Sequence, residues 1–457
     1  MSGTATSTAP GVVPDVPAGL AAGDLVYRTP PRVRFVRAQG VRLYDTAGRP
    51  YLDAEACNGA AALGYDAELV QEAGRRASVL PALPSFCESE LRVRVLQRLE
   101  ALFSELTGVP GRVAVELGGA QGIEMALRIV AAHRGGGPVL TFQGGYHGRS
   151  PFTAHLSASS RYRAVQPWPG PGVVRLPYPD CGSCPHRPAT GCNPACAASV
   201  ERLGRNDLLG VPGPRDPDGV AALVLEPLLN VGGAVLPDGA HLRRVVDHVR
   251  SLGGLIVVDE IFTGLHRLGP RWGFLLHELR PDIVVASKAL TNGVTPLACV
   301  WAREPLAAPD RFPPGSHSST FAGNPHALAT VDAVLDRWAA WPDPGRDVGE
   351  RGRHLAAALA RDCGGHRLVR QVEGVGMLAR VRLAGPHALA LRARAAGPGP
   401  DEGLLLASTG MAPDTVILHP PLTSTPAELD AMSGLLARAL TALAADLPAA
   451  GPAGDPP

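Results

Sequence analysis

Two short apolar runs end in charged side chains. Val257-Val258-Asp259-Glu260-Ile261 brings an acid to the end of one, and Ile283-Val284-Val285-Ala286-Ser287-Lys288 brings an amine to the end of the other. A β-branched run that stops at a charge is the pattern of a buried parallel strand whose carboxyl end opens into a crevice, where ligands of open α/β sheets bind. An acid and an amine facing one crevice suit pyridoxal phosphate (PLP) chemistry. The lysine forms a Schiff base with the cofactor aldehyde, and the carboxylate keeps the pyridine nitrogen protonated so that the ring draws electrons. On these two residues alone, an Asp259 that caps a helix and a Lys288 on a solvated loop explain the pattern as well.

A third stretch could hold an anion. Glu116-Leu117-Gly118-Gly119-Ala120-Gln121 stands before the helically spaced IEMALRIVAAHR. Glycines just ahead of a helix leave its first N–H groups open, and a phosphate suits that place.

The surrounding words narrow the reading. VVDEIFTGLHRLGPRWGF, PDIVVASKALTNGVTPLACV and HSSTFAGNPHALAT resemble, in order and spacing, the successive signature blocks of class III (subgroup II) aminotransferases, PLP enzymes of fold type I. Weaker similarity runs from about Gly40 to Leu429, and joint agreement of several blocks is far more specific than one short motif. The resemblance implies Lys288 as the Schiff-base lysine and Asp259 as the partner of the ring nitrogen. It implies Gly119 and Ala120 as the phosphate-binding turn, Tyr146 as the aromatic on one ring face and Ile261 as the aliphatic on the other. Glu226 matches a glutamate near the cofactor's phenolic edge, and His147 is expected as a hydrogen-bonding neighbour of the cofactor. Thr320 matches a threonine that reaches the phosphate from a neighbouring subunit, so the resemblance also implies a homodimer with shared active sites. One departure lies in the cradle: Gly118 stands where the family usually has a serine, and the loss of that hydroxyl predicts a weaker grip on the phosphate.

Two further departures concern the substrate. Many class III aminotransferases carry an arginine three residues before a Pro-Pro pair, and it binds the substrate carboxylate as a planar two-pronged donor. In Val416-Ile417-Leu418-His419-Pro420-Pro421 that position is Ile417. The glutamate that gates this arginine in some members is replaced by Val231. Both halves of the ion pair are therefore apolar, which is chemically consistent, because removing one partner of a buried pair leaves a charge costing about 3–5 kcal/mol. Arg380 and Arg382 are the candidates for a substitute.

Four of the eight cysteines crowd one stretch, Cys181-x2-Cys184-x7-Cys192-x3-Cys196. Four thiolates set in short Pro- and Gly-bearing loops could wrap one zinc ion or an iron–sulfur cluster. A plain insertion carrying thiols or disulfides is the alternative.

Positioning these residues requires a large α/β unit. At 457 residues the chain has ample material for a large domain and a smaller one. Lys and Arg number 43 against 42 Asp and Glu, which gives no field favouring nucleic acid or an anionic membrane. No apolar run approaches the roughly 20 residues of a membrane span, and the amino-terminal stretch lacks a basic region followed by an apolar core, so a soluble cytoplasmic protein is expected. Residues 1–30 and 447–457 read as disordered tails. Residues 31–69 read as the amino-terminal segment of a small α+β domain completed by 330–446. Short apolar runs alternating with helical stretches predict a mainly parallel sheet in a large PLP-binding domain over 70–329, with a Cys-rich insertion at 178–218.

The expectation is thus a PLP-dependent aminotransferase acting on a small amine, aldehyde or ketone, with a substrate lacking an adjacent carboxylate in one half-reaction. An aminomutase, epimerase or decarboxylase on the same scaffold would also lack the arginine, and a non-catalytic PLP-binding regulator is the alternative of another class.

Overall fold

The computed structural model describes residues 33–79, 82–83, 87–164, 172–180, 219–308, 310–313, 315–397 and 402–448. The chain opens with an antiparallel meander, β1 (Phe35–Gln39), β2 (Arg42–Asp45) and β3 (Pro50–Asp53). Gly40 and Gly48, both at positive φ, serve its turns. Two helices follow, α1 (Ala67–Ala77) and α2 (Glu90–Thr107), with Asp66 and Ser89 capping their first N–H groups.

The central layer is a seven-stranded sheet. Its members are β4 (Gly111–Glu116), β5 (Val139–Phe142), β6 (Val173–Leu176), β7 (Ala222–Leu225), β8 (Leu255–Asp259), β9 (Ile283–Ala286) and β10 (Ala298–Arg303), in the spatial order β4-β10-β9-β8-β7-β5-β6. Among the helices beside these strands are α3 (Gly119–Arg134), between β4 and β5, and α4 (Gly239–Ser251), between β7 and β8. Strands β6, β5, β7, β8 and β9 pair in parallel, as the alternation of apolar and helical runs predicts. Strand β10 runs against both β9 and β4, which makes the sheet mixed. Every residue of β5, β7, β8 and β9 is buried, so these strands read as continuous apolar runs rather than alternating ones.

Beyond the sheet, α5 (Pro325–Ala339) and α6 (Pro344–Cys363) start at Asn324 and Asp343 caps with proline at the first turn. A second four-stranded sheet follows, in the order β11-β12-β15-β14, from β11 (Val369–Val375), β12 (Leu378–Leu383), β14 (Ala407–Thr409) and β15 (Ala412–Leu418). Helix α7 (Ala388–Ala395) and strand β13 (Gly403–Leu405) lie between β12 and β14, and α8 (Pro426–Asp446) closes the described chain with a Thr425–Glu428 capping box. Strand β13 leaves this unit to pair in parallel with β3, joining the carboxyl-terminal part to the opening meander.

Two of the expected domain limits fall inside helices. Residues 69 and 70 lie in α1, residues 329 and 330 lie in α5, and these helices pack on one another. Their contact is organised by Asp332, whose side chain is 3 % exposed and receives Arg76 at 2.8 Å, Arg94 at 2.9 Å and Arg98 at 2.6 Å. Changes in composition do not mark a break where arginines gathered on one buried carboxylate tie neighbouring helices together. Arg267 is a second strut: fully buried, it donates to the carbonyl oxygens of Met377 (3.0 Å) and Pro420 (2.6 Å), and burial lowers its pKa to about 9. No helix among the described residues is long and apolar enough to cross a membrane.

Candidate active site

The carboxyl ends of three neighbouring parallel strands deliver three charged residues to one region. Glu226 follows β7, Asp259 ends β8, and Lys288 stands one residue beyond Ser287 after β9. Asp259 is 4 % exposed; its Oδ1 accepts the N–H of Ile261 at 3.1 Å, and its Oδ2 lies 2.9 Å from His147 Nδ1. His147 is held from its other side as well. Its Nε2 lies 3.2 Å from Thr141 Oγ1 on β5, and its backbone N–H donates to Ser157 Oγ at 2.9 Å. Burial works against charge on this imidazole, but the hydrogen bond and negative charge of Asp259 outweigh it, and its pKa is raised. Glu226 is pushed up by burial, which the nearby His147 opposes only in part. Its carboxylate accepts the N–H groups of Tyr146 (2.8 Å) and Asn230 (3.4 Å).

Lys288 opens a single 3-10 turn at φ 46°, a conformation unusual for a residue with a Cβ. Asn292, at the end of that turn, accepts from Leu63 N at 2.8 Å and donates to Gly64 O at 2.8 Å, which locks the loop to the amino-terminal segment. The Lys288 ammonium sits 5.0 Å from the centre of the Phe262 ring. Burial lowers its pKa, against the pull of Asp259, Glu226 and Glu55. A lysine tuned this way exposes more of its neutral amine, the form that attacks a carbonyl.

The expected anion cradle is the start of α3. Gly118 is the capping residue and supplies no side-chain hydrogen bond, so the first N–H groups of a 16-residue helix are left without a side-chain cap. Gly119 leaves room for Ile261: a Cβ there would lie 2.8 Å from Ile261 Cδ1 and would force that side chain to shift. Ile261 and the cradle thus touch across the site. The Tyr146 ring stands edge-on to Tyr162 with centroids 5.6 Å apart, while the Arg149 guanidinium covers Tyr162 at 4.8 Å and Tyr146 at 5.7 Å.

An open cleft of about 720 Å³ has Arg149, Tyr162 and Asn230 of these groups in its wall, while Lys288, Asp259 and Gly119 do not line it. Val231, Ile417 and His419 form an uncharged part of its wall. Thr409 Oγ1 fixes the Val231 carbonyl at 2.6 Å, and Ile417 packs in one cluster with Leu228 and Phe262. His419 is neutral, because burial first, then Arg267 and Lys288, lowers its pKa to about 3. Sequence reasoning did not single out three charged residues of this cleft, Glu55, Arg149 and Arg392. The proposed substitutes do not line it. Arg380 pairs with Glu373, its cross-strand neighbour on β11, and Arg382 turns toward Gln371 and Asp414.

Thr320 is exposed on the surface of the single chain and is not part of the cleft wall. Cys181, Cys184, Cys192 and Cys196 lie outside the described residues. Among the described residues no group of three or more His, Cys, Asp and Glu side chains could hold a metal ion.

Comparison with known proteins gives the family and the fold. Residues 26–440 match the family model described as Aminotransferase class-III. The acetylornithine aminotransferase of Thermosynechococcus vestitus is 29 % identical over 424 residues, covering 90 % of this chain and 94 % of the relative. The diaminobutyrate--2-oxoglutarate aminotransferase of Rhizobium meliloti is 30 % identical over 438 residues, covering 90 % and 88 %. An omega transaminase from Pseudomonas jessenii, solved in complex with PMP, superposes with a TM-score of 0.79 at 22 % identity, covering 90 % of this chain and 92 % of that one, and shows the shared fold.

Proposed function

The chain belongs to the class-III aminotransferase family, and we propose that it transfers an amino group to or from a substrate whose reacting carbon, in at least one half-reaction, carries no adjacent carboxylate. PLP is the cofactor the family implies, and the site offers what that cofactor needs. Lys288 would anchor it, Asp259 would face its ring nitrogen, and the open start of α3 at Gly119 and Ala120 would receive its phosphate. Tyr146 and Ile261 would cover its two faces, with Glu226 and His147 alongside. Support for the cradle lies in Gly118, which caps α3 without a side-chain hydrogen bond, and in Gly119, which lets Ile261 approach the turn. In a homodimer Thr320, exposed on each chain, would reach the phosphate site of the second copy.

When bound, PLP supplies an electron sink that loosens the bonds at the amine-bearing carbon. The protein then decides which bond breaks. Lys288, its pKa lowered, would carry the proton between substrate and cofactor carbons as the general base and acid. His147, its Nδ1 2.9 Å from Asp259 Oδ2, would hold that carboxylate in place to face the ring nitrogen.

One observation carries the substrate reading: Val231 and Ile417 line the same cleft, with neutral His419 beside them. A carboxylate placed against Val231 and Ile417 would lose water and find no cation at those two positions, a penalty of several kcal/mol, while Arg149 and Arg392 stand in other parts of the same wall. The test is to convert the cofactor to its amino form with a panel of donor amines and then ask which carbonyl compounds convert it back. Efficient conversion by terminal amines supports the reading, and conversion by α-amino acids alone contradicts it.

A further inference from the structure

Lys288 and Asn292 open and close one tight turn, and both stand at positive φ, 46° and 49°. The left-handed region is costly for a residue with a Cβ, so two such residues in one turn persist only where their surroundings enforce them. The bonds that reach back from the far end of the turn are long. Asn292 N–H donates to the Ala289 carbonyl at 3.3 Å and Thr291 Oγ1 to the Lys288 carbonyl at 3.4 Å, whereas the shorter bonds of Thr291 run onward to Val294 (2.9 Å) and Thr295 (2.6 Å). Hydrogen bonds at the longer lengths are weak, so the far end of the turn needs support from outside.

That support is the Asn292 side chain. Buried at 6 % exposure, its carboxamide accepts the Leu63 N–H at 2.8 Å and donates to the Gly64 carbonyl at 2.8 Å. The segment it grips is itself fixed. A Cβ on Gly64 would lie 2.6 Å from the Gly40 carbonyl oxygen, Tyr65 and Gly40 exchange backbone bonds of 2.9 and 2.7 Å, and the Ala62 carbonyl accepts the Leu422 N–H at 2.7 Å. This segment also carries cleft wall. Tyr65 Oη donates to Asp53 at 2.6 Å, Asp53 accepts the N–H groups of Glu55 (2.9 Å) and Ala56 (2.8 Å), and Glu55 and Asn58 line the cleft from a turn in which Ala56, Cys57, Asn58 and Gly59 all have positive φ.

Glycine and asparagine are at home in the left-handed region. Glycine at position 292 would meet the backbone requirement but bring no hydrogen bond, and asparagine brings both an acceptor and a donor. We propose that Asn292 is a positioning residue for Lys288, its carboxamide setting the place of the amine relative to the amino-terminal wall of the cleft. The assignment rests on reading Lys288 as the residue that links to PLP. Without the carboxamide the Leu63 N–H and the Gly64 carbonyl lose their partner, the Lys288 turn relaxes, and water gains access to the amine.

The experiment compares the PLP-loaded wild type with Asn292→Gly and Asn292→Ala. The first keeps a backbone at ease with positive φ and removes the carboxamide, and the second adds left-handed strain to the same loss. Two readings are taken. One is the pH at which the absorbance of the lysine-linked cofactor changes. The other is the rate at which methoxyamine, which forms an oxime with the cofactor's aldehyde carbon and releases the lysine amine, displaces Lys288. Burial is the main cause that lowers the Lys288 pKa, so an amine opened to water should move the midpoint upward. Displacement should be roughly tenfold faster in Asn292→Gly, the change expected when a contact of ordinary strength is lost. Asn292→Ala should unfold at a lower temperature than Asn292→Gly yet match it in both readings.

An Asn292→Gly with the midpoint of wild type and a displacement rate within about twofold of it would overturn the role and leave Asn292 a brace of the fold alone. Readings that track the unfolding temperature, larger in Asn292→Ala than in Asn292→Gly, would also overturn it, because they would report strain and not the carboxamide. A wild type that forms no lysine link to PLP would overturn the reading of Lys288 and this role with it.

Discussion

Asp259 Oδ2 and His147 Nδ1 lie 2.9 Å apart, with both residues buried. This contact makes the histidine a positioning residue for the acid at the end of β8, where the sequence suggested only a neighbour of the cofactor. It also has a pH signature. The pKa of His147 is raised in the folded protein, so its contribution to stability is fully present below the unfolded value of about 6.5 and is lost as pH rises through the folded value. Glu226, also raised, acts in the same direction, because the folded state again holds the proton longer. Thermal unfolding should therefore separate wild type from His147→Gln more widely near pH 6 than near pH 9. A gap that is constant across that range would show that His147 does not carry a proton in the folded state.

Lys288 and Asp259 separate the two halves of the chemistry. Lys288→Ala should abolish the borohydride-reducible link to PLP, and a variant that still forms one in this site would displace the assignment. Asp259→Ala should keep the link but lose most turnover, since nothing would hold the ring nitrogen protonated. Undiminished kcat in Asp259→Ala would remove this residue from the site.

Gly119→Ala tests the cradle. The new methyl group would lie 2.8 Å from Ile261 Cδ1, so either α3 or Ile261 must shift, at a cost of about 1–3 kcal/mol. Faster loss of PLP on dialysis, with the variant still folded by circular dichroism, is the expected result. Retention equal to wild type would mean that the phosphate is held elsewhere.

Much of this arrangement is legible in the sequence, and the reason is burial. Strands β8 and β9 are covered on both faces, so each is an unbroken β-branched run, and the first charge after it marks where the chain reaches the crevice. The direction of β10 is not legible in the same way. Its apolar run resembles its neighbours, and only the pairing with β4 and β9 reveals that it runs the other way. Glu55 and Arg392 come from opposite ends of the chain, and they meet in one cleft through tertiary packing that no local pattern announces. The turn that aims Glu55 is equally hidden, because Ala56 and Cys57 have no preference for the left-handed region and only Asn58-Gly59 hints at it. Arg149 lies two residues beyond His147, in a motif whose reading stopped at the histidine. Arg380 is the Cα partner of Ile417 across β12 and β15, yet its charge is taken by Glu373.

The cysteine spacing makes a separate prediction from sequence alone. Protein purified without chelator or oxygen should carry about one zinc ion, or iron with sulfide, per chain, and lose it when Cys181 and Cys184 are both changed to serine. Folded, metal-free wild type would favour a plain insertion.

The most direct test of the substrate account compares a terminal amine with its matching α-amino acid as donors in single turnover, for wild type and for Ile417→Arg. Ile417 is 1 % exposed in the single chain and lines the cleft, so the arginine would introduce a charged receptor at that position, apart from Arg149 and Arg392 elsewhere in the wall. The account predicts that wild type converts its cofactor faster with the amine in at least one half-reaction, and that Ile417→Arg moves the ratio toward the amino acid by roughly tenfold or more. A wild type that prefers the carboxylate-bearing donor throughout, with a ratio unmoved by Ile417→Arg, would contradict it.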